Sequence, residues 1–199
     1  ANVLLFPSSV VSGSPTYHDG RLFVPVSSFE VAAAGMPTHA CCRSHGGVRA
    51  LDAQSGKTLW TWHSTPPAEP AGKSAAGLQR WGPSGASVWS TPTVDAKRGL
   101  IYVGTGQNFS HPATATSDAV IALGIEDGTP RWQFQALADD VWNGGCQLAG
   151  PNCPENPGPD WDIGASVVLS TSPAGRDTLL VGQKSGELFA LDPDARGKV

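Results

Sequence analysis

The chain has 199 residues, a formal net charge of −4 and a charged fraction of only 15%. This balance, without any basic cluster, gives no electrostatic basis for binding nucleic acid or an anionic membrane surface. No apolar run approaches the roughly 18 residues of a membrane-spanning helix, so we expect no membrane span, and residues 1–10 lack the charged start and cleavage site of a signal peptide. The 24 glycines and 17 prolines mark frequent turns and favour a globular all-β fold.

A strand–turn–strand unit occurs three times, in segments 14–28, 90–106 and 166–186. In each unit, a turn rich in Asp, Gly and Arg separates two short runs of β-branched and aromatic residues, which predicts a β-hairpin. Alternation within these runs, as in Ile101 and Val103, is typical of strands with two unlike faces. A second repeated segment follows each hairpin, and its equivalent alanines give a period of about 70 residues: Ala50, Ala122 and Ala190.

The second segment contains a turn of the type D-x-x-[ST]-G-x-x-x-W, and the clearest copy runs from Asp52 through Gly56 to Trp60. The tight turn needs a positive φ, so we expect it at the glycine of each copy: Gly56, Gly128 and Gly197. We expect Trp60 and Trp132 to lie between neighbouring repeats, where each buries a large apolar area. The second copy departs from the pattern, because Gly124 stands where the others have Asp.

Four short strands per repeat without an amphipathic helix predict the blades of a β-propeller, an architecture that hides sheet edges by radial repetition. We interpret residues 1–199 as one partial propeller domain, with blade-like repeats at about 12–62, 88–134 and 164–199, the last of them truncated. A closed propeller has about 4 to 8 blades, so three repeats indicate a fragment. The inserts 63–87 and 135–163 have the length of functional lids or disordered segments.

The four cysteines permit three pairings. Cys146 and Cys153 share the loop CQLAGPNCP, whose glycine and prolines can bring the sulfurs together, so we prefer a disulfide there and hence an oxidising compartment. Cys41 and Cys42 are adjacent. Their Cα atoms would lie about 3.8 Å apart across a trans peptide, below the usual disulfide range of about 4.4–6.8 Å. A strained vicinal bond, two reduced buried thiols and two separate partners all remain open.

Several motifs occur in a fixed order over nearly the whole chain: the tryptophan-closed repeats, the adjacent cysteines, GPSGASVWSTPTVDAKRGLIYVGTGQNFS, SDAVIAL, CPENPGPDWDIGA and LLVGQKSGELFALD. Together they resemble the pyrroloquinoline quinone (PQQ)-dependent alcohol dehydrogenases, and most closely the polyvinyl alcohol dehydrogenase type. The resemblance implies an eight-bladed propeller that holds PQQ and a calcium ion near its axis. It also implies oxidation of alcohols to aldehydes or ketones in the periplasm or outside the cell.

The resemblance further implies that electrons pass to a cytochrome c. No CxxCH haem motif occurs in the chain, so that carrier would be another protein or another domain. Two other classes compete with this interpretation. One is a non-catalytic propeller scaffold similar to the outer-membrane assembly lipoproteins, since fold alone does not make an enzyme. The other is a PQQ-dependent sugar or polyol dehydrogenase.

The family pattern assigns two calcium ligands. Glu30, at the end of the predicted strand RLFVPVSSFE, matches a calcium-binding glutamate, and carboxylate oxygen is a ligand that calcium prefers. A solvated glutamate at a strand end is the alternative. Asn108 follows the strand LIYVGTG where relatives have a calcium-binding asparagine, although Gln107 competes for that register and Asn is also a common turn former.

The cofactor contacts implied by the resemblance are Ser27, Trp89 and a vicinal Cys41–Cys42 cystine. Trp89 matches the tryptophan on which the planar quinone stacks, although core packing would also explain it. Ser27 could equally be a turn hydroxyl. The cystine covers the opposite face of PQQ in relatives, but here it follows Glu30 within the same repeat, which departs from the better-known pattern.

The catalytic base of relatives is an aspartate in a Trp-Asp pair, and Asp162 in DWDIGA is our assignment. The similar DDVWN places Asn143 after its tryptophan and cannot supply a base there, so Asp140 and Asp160 are the alternatives. Lys184 in GQKSG matches a cation beside the quinone oxygens, where it would stabilise developing negative charge. A surface lysine in a β-turn is the structural alternative.

Overall fold

The computed structural model describes residues 2–199, which form short antiparallel strands joined by turns. One helical turn, α1 (Glu30–Ala33), follows the third strand, and a 3₁₀ turn spans Cys146–Leu148. The all-β prediction is therefore confirmed. In chain order the strands are β1 (Ser9–Val10), β2 (Thr16–His18), β3 (Arg21–Ser28), β4 (Gly47–Asp52), β5 (Thr58–His63), β6 (Glu69–Lys73), β7 (Gln79–Gly82), β8 (Ser84–Gly85), β9 (Thr93–Asp95), β10 (Leu100–Gly104), β11 (Asn108–Ser110), β12 (Ala119–Gly124), β13 (Pro130–Gln135), β14 (Val168–Thr171), β15 (Asp177–Gly182) and β16 (Leu188–Leu191).

Within residues 2–199, three main sheets follow one another along the chain. The first has the order β1–β3–β4–β5, with β2 also paired to β3; the second has the order β9–β10–β12–β13; and the third has the order β14–β15–β16. Two shorter pairs, β6–β7 and β8–β11, are separate from these sheets. The three predicted hairpins are confirmed as β2–β3, β9–β10 and β14–β15.

The second sheet is buried on both faces because its residues alternate between two apolar clusters. Ile101 and Val103 of β10 belong to a cluster with Phe23 of the first sheet. Tyr102, between them, belongs to a cluster with Leu179 of the third sheet. Successive strand residues point to opposite faces, and the alternation predicts two unlike faces. Both faces are nevertheless apolar here, because a neighbouring sheet covers each one.

Trp60 and Trp132 lie at the junctions between successive sheets, as predicted. The indole nitrogen of Trp60 donates to the Ile125 carbonyl at 2.9 Å, and the ring packs on Gly128, whose φ is 66°. Trp132 packs in the same way on Gly197, whose φ is 76°. A side chain on either glycine would overlap the indole ring, so each turn requires glycine for both its conformation and its contact.

The prediction that Glu30 ends a strand is wrong. Strand β3 ends at Ser28, and Glu30 begins α1. The chain turns there because the Ser28 hydroxyl accepts a hydrogen bond from the Glu30 N–H at 3.0 Å while Phe29 takes a helical backbone conformation. The turn redirects the Glu30 side chain toward the segment that carries the adjacent cysteines.

The two long inserts are more ordered than their composition indicates. Residues 63–87 contain the β6–β7 hairpin and β8. Residues 135–163 contain the 3₁₀ turn and a disulfide between Cys146 and Cys153, as we preferred from sequence. Arg80 joins the inserts by donating to the carbonyls of Pro151 and Cys153 at 2.8 and 3.1 Å. Among residues 2–199, no helix has the length and apolar character to cross a membrane.

Candidate functional site

A cleft of about 350 Å³ opens beyond the ends of β3, β10 and β15. Its walls include serines from β3, an indole, an amide and two carboxylates with a lysine between them, and the residues that matter below are Ser27, Trp89, Gln107, Asp160, Asp162 and Lys184. Ser27, Trp89, Asp162 and Lys184 were assigned to one site from sequence, and they lie around this one cleft.

Asp162 is buried at the base of the cleft and is held from two sides. Its Oδ1 accepts a hydrogen bond from the Gln107 N–H at 2.8 Å, and its Oδ2 forms an ion pair with Lys184. A side chain on Gly106 would overlap the carboxylate, so the backbone approaches it closely. Burial raises the pKa of Asp162 above its ordinary value, and this effect exceeds the opposing effect of the lysine.

Lys184 stands between two carboxylates and an aromatic ring. Its Nζ lies 3.1 Å from Asp160 Oδ2 and 5.7 Å from the centroid of the Trp89 ring, and it also contacts Asp162. The backbone N–H of Lys184 donates to the backbone carbonyl of Asp162 at 3.0 Å, which holds the two backbone segments together. Burial alone would lower the pKa of Lys184, but the hydrogen bonds and charges of Asp162 and Asp160 raise it.

Trp89 presents an indole to the cleft and is 37% exposed. The six-membered part of its ring packs on Gly164, where any side chain would collide with it. Trp89 is thus partly exposed and backed by glycine, and core residues do not enclose it. Trp60 and Trp132, in contrast, are only 9% and 8% exposed.

Glu30 is buried and does not line the cleft, although its neighbours Phe29 and Val31 do. Its Oε2 accepts from the N–H groups of Arg43 and Ser44 at 2.9 and 2.6 Å and from the Ser44 hydroxyl. Its Oε1 lies 3.0 Å from His39 Nε2. The carboxylate therefore anchors the segment 39–44, which carries the adjacent cysteines.

The side chains of Asn108 and Gln107 point to different surroundings. Asn108 is fully buried, its oxygen accepts from the Thr114 N–H at 2.8 Å, and its nitrogen donates to the Ser84 carbonyl at 2.9 Å. It begins β11 and does not line the cleft. Gln107 lines the cleft, and its amide nitrogen lies 3.4 Å from the Trp142 carbonyl. Of the two amides left open by the sequence, Gln107 is the one that faces the cleft.

Cys41 and Cys42 form a vicinal disulfide, so the chain contains no reduced thiols among its described cysteines. The pair is buried in a small cluster with Val31 and Phe109. Val31 and Phe109 line the cleft whereas the cystine does not. The cystine is therefore one layer behind the cleft wall, and the Asn143 amide approaches Cys41 Sγ at 3.9 Å from the second insert.

Two buried carboxylates behind Asp162 complete the surroundings. Asp140 is fully buried. It accepts hydrogen bonds from the N–H groups of Asp160 and Trp161 at 3.2 and 2.8 Å and so holds the segment that precedes Asp162. Asp118 is also fully buried, and neither of its carboxylate oxygens has a hydrogen-bond partner among the described residues. Burial, followed by the charges of Asp140 and Asp162, raises the pKa of Asp118 to about 9.

Sequence reasoning did not identify Asp118, Ser87 or Phe109 as parts of this region. The available signal for Asp118 was a carboxylate placed directly before the apolar run AVIAL, where an ordinary strand would begin with a neutral residue. Ser87 and Phe109 offered no such signal, because each lies within a motif whose neighbour, Trp89 or Gln107, was the more conspicuous residue.

Comparison with known proteins agrees with this fold and these motifs. A PQQ family model described as "Glucose/ethanol/alcohol dehydrogenase, beta-propeller domain" matches residues 21–151. The chain is 47% identical to a polyvinylalcohol dehydrogenase of Pseudomonas sp. over 97% of its own length and 30% of that protein. It is 45% identical to a polyvinylalcohol dehydrogenase of Sphingopyxis sp. (strain 113P3) over 96% of its own length and 30% of that protein.

A solved structure gives the same architecture. The quinohemoprotein alcohol dehydrogenase of Comamonas testosteroni matches with a TM-score of 0.64 and 22% identity, over 94% of this chain and 27% of that one. This match concerns the fold alone. The chain spans about 30% of the length of the curated relatives it matches. The predicted propeller fold and family resemblance are confirmed, and the chain belongs to the PQQ-containing glucose/ethanol/alcohol dehydrogenase β-propeller family.

Proposed function

We propose that this chain is part of a PQQ- and calcium-dependent enzyme that oxidises alcohols to ketones or aldehydes, with secondary alcohols and polyvinyl alcohol as its substrates. The observation that carries the proposal is the cleft in which Asp162, Lys184 and Trp89 lie together. The 47% identity to a polyvinylalcohol dehydrogenase supports the substrate class. Residues 1–199 then form a partial domain of an eight-bladed propeller, with repeats at about 12–62, 88–134 and 164–199.

The cleft fits PQQ in three respects. Trp89 offers an aromatic surface for a planar ring, Lys184 offers a cation for anionic oxygens, and the buried Ser87 hydroxyl in the cleft wall has no hydrogen-bond partner among the described residues. Trp89, Ser27 and Lys184 would hold the cofactor. The chemistry that bound PQQ supplies is two-electron acceptance at a quinone carbonyl.

Asp162 is the general base of the proposal. Its Oδ1 has one described donor, the Gln107 N–H, and can accept the hydroxyl proton of an alcohol in the cleft. Its raised pKa brings it closer to the operating pH, which favours proton transfer in both directions. Lys184 pairs with Oδ2 and favours the ionised carboxylate against the effect of burial, and its ammonium stabilises negative charge that develops in the cleft.

The proposal also includes a bound calcium ion, with Glu30 and an amide oxygen as its protein ligands. Oxygen donors suit the ion, and Gln107 is the amide that faces the cleft. The Glu30 carboxylate is engaged by Arg43, Ser44 and His39, so a bound cation would replace some of those donors. Asn108 would have to give up its contacts with Thr114 to serve as the ligand.

In the same proposal, the Cys41–Cys42 cystine acts on the cofactor through the cleft wall and not by direct contact. Its position behind Val31 and Phe109 supports a role in shaping the cleft wall. Electrons would pass to a cytochrome c supplied by another protein or domain. The predicted disulfides, both present in the structure, support a periplasmic or secreted location.

The test is reconstitution of the full-length protein with PQQ and calcium, followed by reduction of an artificial dye when secondary alcohols or polyvinyl alcohol are added. Dye reduction that requires both cofactors supports the proposal. A folded protein that binds no PQQ would indicate a non-catalytic propeller scaffold instead. Turnover of sugars or glycerol in preference to secondary alcohols would indicate a PQQ-dependent sugar or polyol dehydrogenase.

A further inference from the structure

A second cavity, of about 620 Å³, lies among residues that the proposed reaction does not use. Its polar lining consists of Arg43, His45, His63 and Thr65, and Trp81 and several apolar side chains form the rest. Its size falls within the range of about 300–1,000 Å³ typical of small-molecule sites, and an apolar cavity with a few convergent polar groups is the usual form of such a site.

Arg43 is held in this cavity by stacking and not by a carboxylate. Its guanidinium carbon lies 3.5 Å from the centroid of the Trp81 ring. No carboxylate within residues 2–199 forms an ion pair with it, and its described hydrogen bond involves only the backbone N–H, to Glu30. Stacking fixes the plane of a guanidinium and leaves its N–H edge available. The cavity therefore presents several donors in a defined orientation.

The two histidines add a neutral polar group to the same cavity. His45 is buried, and its Nε2 lies 2.8 Å from Nδ1 of the exposed His63. Burial lowers the pKa of His45 to about 4, and burial also lowers the pKa of His63. Both rings are thus neutral near pH 7. Arg43 is the one formal charge in the described lining, and the His63 ring can accept or donate a hydrogen bond through Nε2.

Shared wall residues relate this cavity to the cleft. Trp81 lines the second cavity and also a small cavity of about 60 Å³. Phe109 lines that small cavity and also the cleft that contains Asp162. The small cavity therefore shares one aromatic wall residue with each of the other two spaces.

We propose that the second cavity binds a segment of a long hydroxyl-bearing hydrocarbon chain while another segment of the same chain lies at Asp162. This inference rests on the proposed function and adds an accessory substrate subsite to it. Apolar walls suit the carbon backbone of such a chain, and the Arg43 and His63 groups suit its hydroxyls. A single formal charge favours a neutral polymer over a polyanion. A short alcohol would occupy the cleft alone.

The first experiment compares polyvinyl alcohol with pentane-2,4-diol as substrates of the full-length, PQQ-reconstituted protein. Arg43→Gln removes the donors, and Ala68→Trp fills the cavity without removing a polar group. Each change should raise KM for the polymer by about 3- to 10-fold, as expected for the loss of one or two hydrogen bonds or of contact area. Parameters for the diol should stay within about twofold. Arg176→Gln, an exposed arginine outside this cavity, is the matched control and should change neither.

Equal effects on polymer and diol, or no effect on the polymer from either variant, would overturn the subsite. A binding measurement separates this result from failure of the proposed function. The affinity of fluorescently labelled polyvinyl alcohol for the full-length protein is measured without PQQ, so that no turnover is required. Weaker polymer binding by both variants supports the subsite even if the wild type oxidises no alcohol, whereas unchanged binding by both variants rejects it.

Discussion

Strands β10 and β15 have a charged region at each end. One region is an ion-pair network at a sheet junction, and the other lines the cleft. At one end, Arg98 pairs with Asp95, Asp177 and Asp194 at 2.8, 2.9 and 2.7 Å, across the junction of the second and third sheets. At the other end, β10 leads to Gln107 and β15 leads to Lys184, both in the cleft. Both regions contain aspartates and a cation, and Asp160, Asp162 and Lys184 of the second region line the cleft.

Asp177 in the first region and Asp162 in the second have pKa values displaced in opposite directions. Hydrogen bonds from Lys97, then Thr171 and Arg98, hold the pKa of Asp177 well below its ordinary value. In the cleft, burial raises the pKa of Asp162 despite its contact with Lys184. A carboxylate surrounded by donors is stabilised as an anion, whereas a buried carboxylate with few donors is poised to take up a proton. The first arrangement serves the fold, and the second suits a reaction.

The largest effect should come from Asp162→Asn in the full-length enzyme. Loss of a general base lowers rates by about 10²- to 10⁴-fold, so kcat for a secondary alcohol should fall by that factor. PQQ binding, followed by its absorbance, should persist because Trp89 and Lys184 remain. Asp177→Asn, the same substitution at the end of β15 that is remote from the cleft, is the matched control and should leave kcat within about twofold. Unchanged alcohol oxidation by Asp162→Asn would remove this residue from the base role.

The sequence predicts the strands, turns and sheet junctions well because each of these features depends on a local sequence pattern. The hairpins follow from turn composition, and the contacts of Trp60 and Trp132 follow from the spacing of each tryptophan after a turn glycine in the repeats. Ile101 and Val103 also indicate their face by alternation alone. These features depend on neighbours in the chain or on a repeat that the sequence itself displays.

The site is harder to predict because side-chain direction depends on contacts made far along the chain. Glu30 turns toward Ser44 because β3 ends two residues earlier than its sequence indicates. Gln107 and Asn108 are adjacent and both are buried, yet Gln107 lines the cleft whereas Asn108 begins β11 and does not. The cleft carboxylates acquire their properties from burial, which no local pattern encodes.

A smaller effect, on stability alone, is expected from Arg98→Leu. The substitution leaves Asp95 and Asp177 without their shared cation at a sheet junction, and removing one partner of such a network costs more than the network itself contributes. The melting temperature of the full-length protein should fall by several degrees while kcat changes less than about twofold. Arg131→Leu, which breaks an exposed pair with Asp127, is the control and should shift the melting temperature by at most about a degree. A large loss of kcat in Arg98→Leu would contradict the division between the two regions.

The last effect, on stability alone, should come from Asp118→Asn, and its size depends on pH. Asp118 has a folded-state pKa of about 9, far above the ordinary value of an unfolded aspartate, so folding favours its protonated form. Its contribution to stability is therefore fully present below about pH 4 and is lost as pH rises toward 9. A neutral amide avoids that loss, so Asp118→Asn should raise the free energy of unfolding at pH 8 by more than about 1 kcal/mol and by much less at pH 4. Melting curves at fixed calcium concentration over pH 4–9 measure the difference.

A variant that is less stable than wild type at pH 8 would show instead that the Asp118 carboxylate is bound as an anion. The contrast in pKa between the two regions would then not extend beyond Asp162.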